Sequence, residues 1–257
     1  MISLNKILKN GKAMFLAYDQ GMEHGPVDFN DLNVDPNYIL DIALMSDFTA
    51  IVFQKGIAEK YYTGSDYQNK IPLIMKLNGK TNLYKDTADS YAPQECTVEE
   101  AIKLGAVAVG YTIFAGSADE ELMVQEFGNI VREAHENNIP AIAWVYPRGK
   151  DIPNDQDPKI VAYAARIALE LGADMAKVKY SGSQENFAWA VKAAGKMPVV
   201  LSGGNKTETD EEFLEIVKNV MAAGGTGVAV GRNVWQHKNP VEISKKIAAI
   251  IWDGKNI

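Results

Sequence analysis

Cysteine is almost missing from this chain: Cys96 is the only one in 257 residues. No intrachain disulfide can form, and a reducing compartment, the cytoplasm, is the expected location. Long apolar runs are missing too, and nothing approaches the roughly 18 residues of a membrane span. The opening MISLNKILKNGKAMFLAYD interrupts its apolar pieces with Lys and Asn, so it has neither the unbroken apolar centre nor the cleavage site of a signal peptide. Histidine is scarce. His24, His135 and His237 stand far apart without paired ligand spacing, so no metal is expected, and DQGMEH at 19–24 offers donors without a metal motif. Basic clusters are also absent. With 26 basic and 33 acidic residues and a net charge of -7, neither nucleic acid nor an anionic membrane is an expected partner. An anionic substrate must then be held by a local pocket.

What is present suits a large α/β domain. The chain is 47% hydrophobic, which excludes disorder, and it is long enough to build a core without disulfides or metal. No Pro/Ser/Gly linker divides it, so a single domain over 1–257 is expected. Eight β-rich apolar runs recur: 14–19, 48–53, 71–78, 106–114, 140–146, 175–180, 197–202 and 227–231. Near-continuous apolar strands are what a sheet covered by helices needs. Helical periodicity occupies 119–138, 158–171, 209–223 and 240–252. TDEE at 209–212 supplies an N-cap and an acidic first turn, and Pro240 suits a first helical position. Gly105, Gly172, Gly195 and Gly225 precede strands as expected helix stops. Eight strands with interleaved helices predict a (β/α)8 TIM barrel. The alternative, a doubly wound open sheet, lacks its Gly-rich dinucleotide turn, because QGMEHGP follows the first strand.

In a barrel strand alternate residues point inward, and polar ones near the C-terminal end face the site. That parity groups Trp144, Tyr146 and Arg148 on the fifth strand and Lys177 with Lys179 on the sixth. It also sets Asp19 in step with Phe15 and Ala17, and Lys76 in step with Asn78. A lone lysine at a strand end ordinarily snorkels into water. Two on one face of an apolar strand point to chemistry. Lys177, two residues deeper, is the better desolvated, and burial with a cationic neighbour favours the free amine that attacks a carbonyl. Tyr146 could be a core ring with a satisfied hydroxyl, but beside Trp144, Arg148 and a lysine it suits proton transfer. Asp19 either caps a turn or, ionised among lysines, contacts a substrate hydroxyl or orients an ammonium.

LSGGNKTE at 201–208 and GVAVGRN at 227–233 follow the seventh and eighth strands. Gly203, Gly204 and Gly231 allow backbone N–H groups to converge on phosphate oxygens, and Arg232 adds a bidentate clamp. Barrels that bind phosphorylated substrates commonly hold the phosphate there.

Together AYDQGMEHGP, FQKGIAEKYY, LNGKT, AVGYTIFAGS, WVYPRGK, VAYAARIALELGAD, KVKYSGS, LSGGNKT and GVAVGRNVWQ resemble the archaeal-type class I fructose-1,6-bisphosphate aldolases, from about residue 14 to 253. Each motif alone is loose, whereas nine in order are specific. The resemblance implies a (β/α)8 barrel doing metal-independent Schiff-base chemistry without a cofactor. It makes Lys177 the Schiff-base lysine, Tyr146 the proton-transferring tyrosine, and Asp19 and Trp144 pocket residues. It also makes Ser202, Gly203, Gly204, Gly231 and Arg232 the phosphate loops, and it implies a homo-oligomer of the decamer type, built from pentamers. Gln20 departs from the family, where many relatives carry His, so acid–base work at that position is lost while hydrogen bonding survives.

The implied reaction is reversible cleavage of fructose 1,6-bisphosphate to dihydroxyacetone phosphate and glyceraldehyde 3-phosphate. Two readings compete with it. One is a related lysine-dependent aldolase or transaldolase making 6-deoxy-5-ketofructose 1-phosphate or a heptulosonate precursor of aromatic amino acids. The other is a non-catalytic sugar-phosphate-binding barrel.

Overall fold

The structure is a computed structural model and describes residues 2–83 and 91–254. Eight parallel strands close into a barrel in sequence order: β1 (Ala13–Ala17), β2 (Ala50–Gln54), β3 (Leu73–Lys76), β4 (Ala106–Ile113), β5 (Ala141–Val145), β6 (Met175–Val178), β7 (Val199–Ser202) and β8 (Gly227–Val230). β8 pairs back onto β1 through Ala13–Gly227 and the three pairs after it. Each of the eight apolar runs read from the sequence contains one strand or most of one. Six strands stop short of their runs' C-terminal ends, whereas β2 reaches Gln54, past its run, and β7 ends with its run at Ser202.

Helices cover the outside. After β1 come α1 (Gly21–His24) and α2 (Pro36–Met45). After β2, α3 (Lys55–Ile57) runs into a π-helical turn at Ala58–Tyr62. Then follow α4 (Val98–Lys103), α5 (Glu120–Glu136), α6 (Pro158–Glu170), α7 (Gln184–Ala193), α8 (Asp210–Ala222), α9 (Arg232–Trp235) and α10 (Pro240–Asp253). Local chemistry sets several boundaries. Thr209 and Glu212 form a reciprocal capping box at α8, as Thr97 and Glu100 do at α4. Pro240 takes the first position of α10. One helix stop needs correction: the residue with positive φ after α8 is Gly224, at +86°, and not Gly225. Gly225 serves packing instead, since a Cβ there would lie 2.8 Å from the Val220 carbonyl oxygen.

Two apolar layers follow from the strand alternation. Met14, Leu16, Ile51, Phe53, Val109 and Tyr111 face the helices, whereas Phe15, Val52, Ile74, Ala108, Ile142, Met175, Val200 and Ala229 fill the barrel. Ile7, fully buried, packs against the inner set from the N-terminal segment. The inner rows continue upward in the same parity into polar residues. Ala17 leads to Asp19, Ile74 to Lys76, Trp144 to Tyr146, Met175 to Lys177, and Val200 to Ser202. The fold thus ends these five apolar rows in polar residues at the C-terminal mouth.

Candidate active site

A cavity of about 450 Å³ opens at that mouth. Every site residue read from the sequence lines it: Asp19, Trp144, Tyr146, Arg148, Lys177, Lys179, Ser202, Gly203, Gly204, Gly231 and Arg232. Lys177, in β6, is 5% exposed, and its Nζ lies 5.1 Å from the centre of the Trp144 ring. That ring has room because Gly110 of β4 carries no side chain; a Cβ there would fall 1.4 Å from Trp144 Cζ3.

Burial holds the Lys177 amine down to about 8, well below the usual ammonium range, and the charge of Lys76 pushes the same way while Asp19 opposes it. This corrects one expectation. The cationic neighbour expected on the same strand, Lys179, is ion-paired with Asp155. The cation that acts on Lys177 is Lys76, on β3.

Tyr146 follows β5, and its hydroxyl lies 3.1 Å from Ser202 Oγ. Burial pushes its phenol far above the ordinary range, and the nearby Asp19 carboxylate adds to that. The group therefore enters chemistry protonated. Arg148 stacks on Phe114 at 4.5 Å and donates to Glu23 at 3.0 Å.

On the β7 and β8 side, Arg232 donates to the Gly204 carbonyl at 3.0 Å and lies 3.7 Å from Asp28. The Gly203 N–H is already committed to Ala229 O, so that glycine shapes the loop and is not a phosphate donor through its own amide. Its Cβ would sit 3.0 Å from the Val230 Cα, which explains the glycine sterically.

Four functional groups escaped the sequence reading. Asn233 is buried and clips the β7–α8 loop by donating to the carbonyls of Gly203 and Asn205 while accepting from Thr207. Glu23 and Asp28 reach the two arginines from the β1–α2 connection, which no periodicity could show. Lys76, in step with Asn78, points into the barrel by the same strand parity as Lys177. Among the described residues no group of three or more His, Cys, Asp or Glu could hold a metal ion.

A buried amine of lowered basicity, a protonated phenol and a glycine-and-arginine loop in one barrel mouth define an aldolase-type carbonyl-condensing barrel. The chain belongs to the DeoC/LacD family of aldolases, whose model matches residues 13–237. It is 52% identical over 251 residues to the class 1 fructose-bisphosphate aldolase of Thermoproteus tenax, covering 97% of this chain and 93% of that one. A solved Schiff-base-forming fructose-1,6-bisphosphate aldolase superposes with a TM-score of 0.92 at 49% identity, covering 97% of this chain and 98% of the other. An archaeal fructose-1,6-bisphosphate aldolase, solved with its catalytic Lys bound to the carbinolamine intermediate, superposes with a TM-score of 0.91 at 50% identity, covering 96% and 97%.

Proposed function

We propose that this chain is a class I fructose-1,6-bisphosphate aldolase in which Lys177 forms the Schiff base. The observation that carries the reading is the buried Lys177 amine, lowered to about 8, facing the same cavity as Tyr146. Relatives of this identity bear that activity, which favours cleavage of the bisphosphate over the methylglyoxal-type condensation and over a binding protein without turnover.

In the proposed mechanism the C1 phosphate occupies the Gly204–Gly231–Arg232 wall, and its binding energy fixes the C2 ketone against Lys177. The amine attacks C2 and gives a carbinolamine. Tyr146 donates its proton to the departing C2 oxygen, which leaves as water, and an iminium remains beside the phenolate. That phenolate takes the C4 hydroxyl proton. The C3–C4 electron pair moves into the iminium, glyceraldehyde 3-phosphate leaves and an enamine forms. Tyr146 returns the proton to C3, then accepts one from the water that hydrolyses the iminium, releasing dihydroxyacetone phosphate. Asp19 favours the cationic iminium and assists the carbinolamine stage. Trp144 shapes the pocket, and Arg148 and Lys179, each held by an acid, face the remainder of the ketose.

The same proposal includes a single domain, a cytoplasmic location and a homo-oligomer of decamer type. No helix among the described residues is long and apolar enough to cross a membrane.

The test is borohydride reduction in the presence of fructose 1,6-bisphosphate, followed by intact mass and peptide mapping. A stable adduct on Lys177 is expected. An adduct on Lys179 would move the nucleophile, and the absence of any adduct would sink the mechanism.

A further inference from the structure

Lys76 is a buried cation of the cavity that the mechanism leaves unused. It ends β3, is 3% exposed and lines the same cavity as Lys177. Its Nζ donates to the Asn78 carbonyl at 3.0 Å, the one hydrogen bond it makes among the described residues. Asn78 is itself fully buried and immobilised: its amide donates to Ala92 O and Thr112 O, and its oxygen accepts from Thr112 N. The same Asn78 carbonyl also takes a hydrogen bond from Gln54. Lys76 is therefore held in place at its tip as well as at its backbone.

An ammonium has three N–H donors, and one of them is satisfied here. Arg148, Lys179 and Arg232 in the same cavity each face a carboxylate, whereas Lys76 forms no ion pair with any described residue. Glu95 is near enough to feel its charge without closing a pair. Burying a cation without a carboxylate is unfavourable for the fold alone, so its remaining donors are kept for a ligand.

The position of Lys76 in the ring says which part of the ligand. β3 lies across the closed barrel from β7 and β8, where the phosphate loops are, and three strands from Lys177 on β6. A ketose with its C1 phosphate on the far wall and C2 at Lys177 extends its remaining carbons toward β1–β4.

Resting on the aldolase reading above, we propose that Lys76 is a specificity-determining residue that binds a hydroxyl oxygen of the ketose chain beyond C3. It thus recognises the part of the substrate that dihydroxyacetone phosphate lacks. The Lys76 charge also holds down the basicity of Lys177, so the test is run at a pH where that second effect is silent.

The test compares wild type with Lys76→Met at pH 9, using fructose 1,6-bisphosphate turnover and borohydride trapping of dihydroxyacetone phosphate on Lys177. Lys76→Met should lower kcat/KM for the bisphosphate by 100-fold or more, while the yield of dihydroxyacetone-phosphate adduct stays within threefold. Its Tm should equal or exceed the wild-type value, because an unpaired buried charge has been removed. Parallel loss of turnover and trapping, or a clear fall in Tm, would make Lys76 a support of the amine or of the fold and overturn the proposal. Unchanged bisphosphate turnover would overturn it as well. Failure of the wild-type protein to form the adduct would instead remove the aldolase reading itself, so the two failures are distinguishable.

Discussion

Burial decides the pH at which Lys177 can act. With its ammonium held down to about 8, most of the amine is protonated at pH 6, and the free fraction rises about ninefold from pH 6 to 7 and about fivefold from 7 to 8. Single-turnover trapping on Lys177 should therefore accelerate with pH between 6 and 8 and level off above about 9. A rate independent of pH over that interval would mean that amine deprotonation does not control attack. On the side proposed for the phosphate, Arg232→Ala removes a charge-assisted donor and releases the Gly204 carbonyl. It should weaken binding of phosphorylated ligands by roughly 1.5–3 kcal/mol, measured by calorimetry.

At the scale of elements, the inner rows of the barrel set where each group can reach. β4 contributes a space and not a side chain: Gly110 admits the Trp144 ring, which lies beside Lys177. Gly110→Ala would place a methyl inside that ring. The expected outcome is a displaced Trp144, a stability loss of about 1–3 kcal/mol and a kcat reduced tenfold or more. Chemical unfolding and tryptophan fluorescence measure the first two effects directly. The β7–α8 loop depends likewise on Asn233, which ties it to α9. Asn233→Ala should raise KM for the bisphosphate at least tenfold, with kcat less affected, since the clip positions the phosphate loop and does not touch the reacting carbon. A kcat effect with constant KM would contradict that role.

For the whole molecule, apolar surface remains where one chain alone leaves it uncovered. Tyr163 on α6 and Trp189 on α7 are 64% and 54% exposed, and those two helices pack against each other on the outside of the barrel. Large aromatic side chains left in water on adjoining helices mark an interaction surface. This fits the proposed homo-oligomer. Light scattering on Trp189→Glu should show a smaller assembly than wild type, with borohydride trapping on Lys177 retained because Trp189 does not line the cavity at the mouth. An unchanged mass would place the contact elsewhere.

The barrel was legible from the chain because its causes are local. Eight buried strands must be apolar on both faces, helix ends carry capping residues such as Thr209 and Pro240, and alternation along a strand assigns Lys177 and Tyr146 to the same interior as Met175 and Trp144. Gly225 was misjudged because two adjacent glycines satisfy the same stop signal and packing against Val220 decides between them. The unused donors of Lys76, the partners of Arg148 and Arg232, and the clip made by Asn233 depended on closure of the ring. Closure brings β3 to face β6 and folds the β1–α2 connection over the mouth. Sequence by itself determined which residues point inward, through a period of two. Tertiary structure alone decided which of them meet, because charges and donors from strands far apart in the chain share one cavity at the mouth.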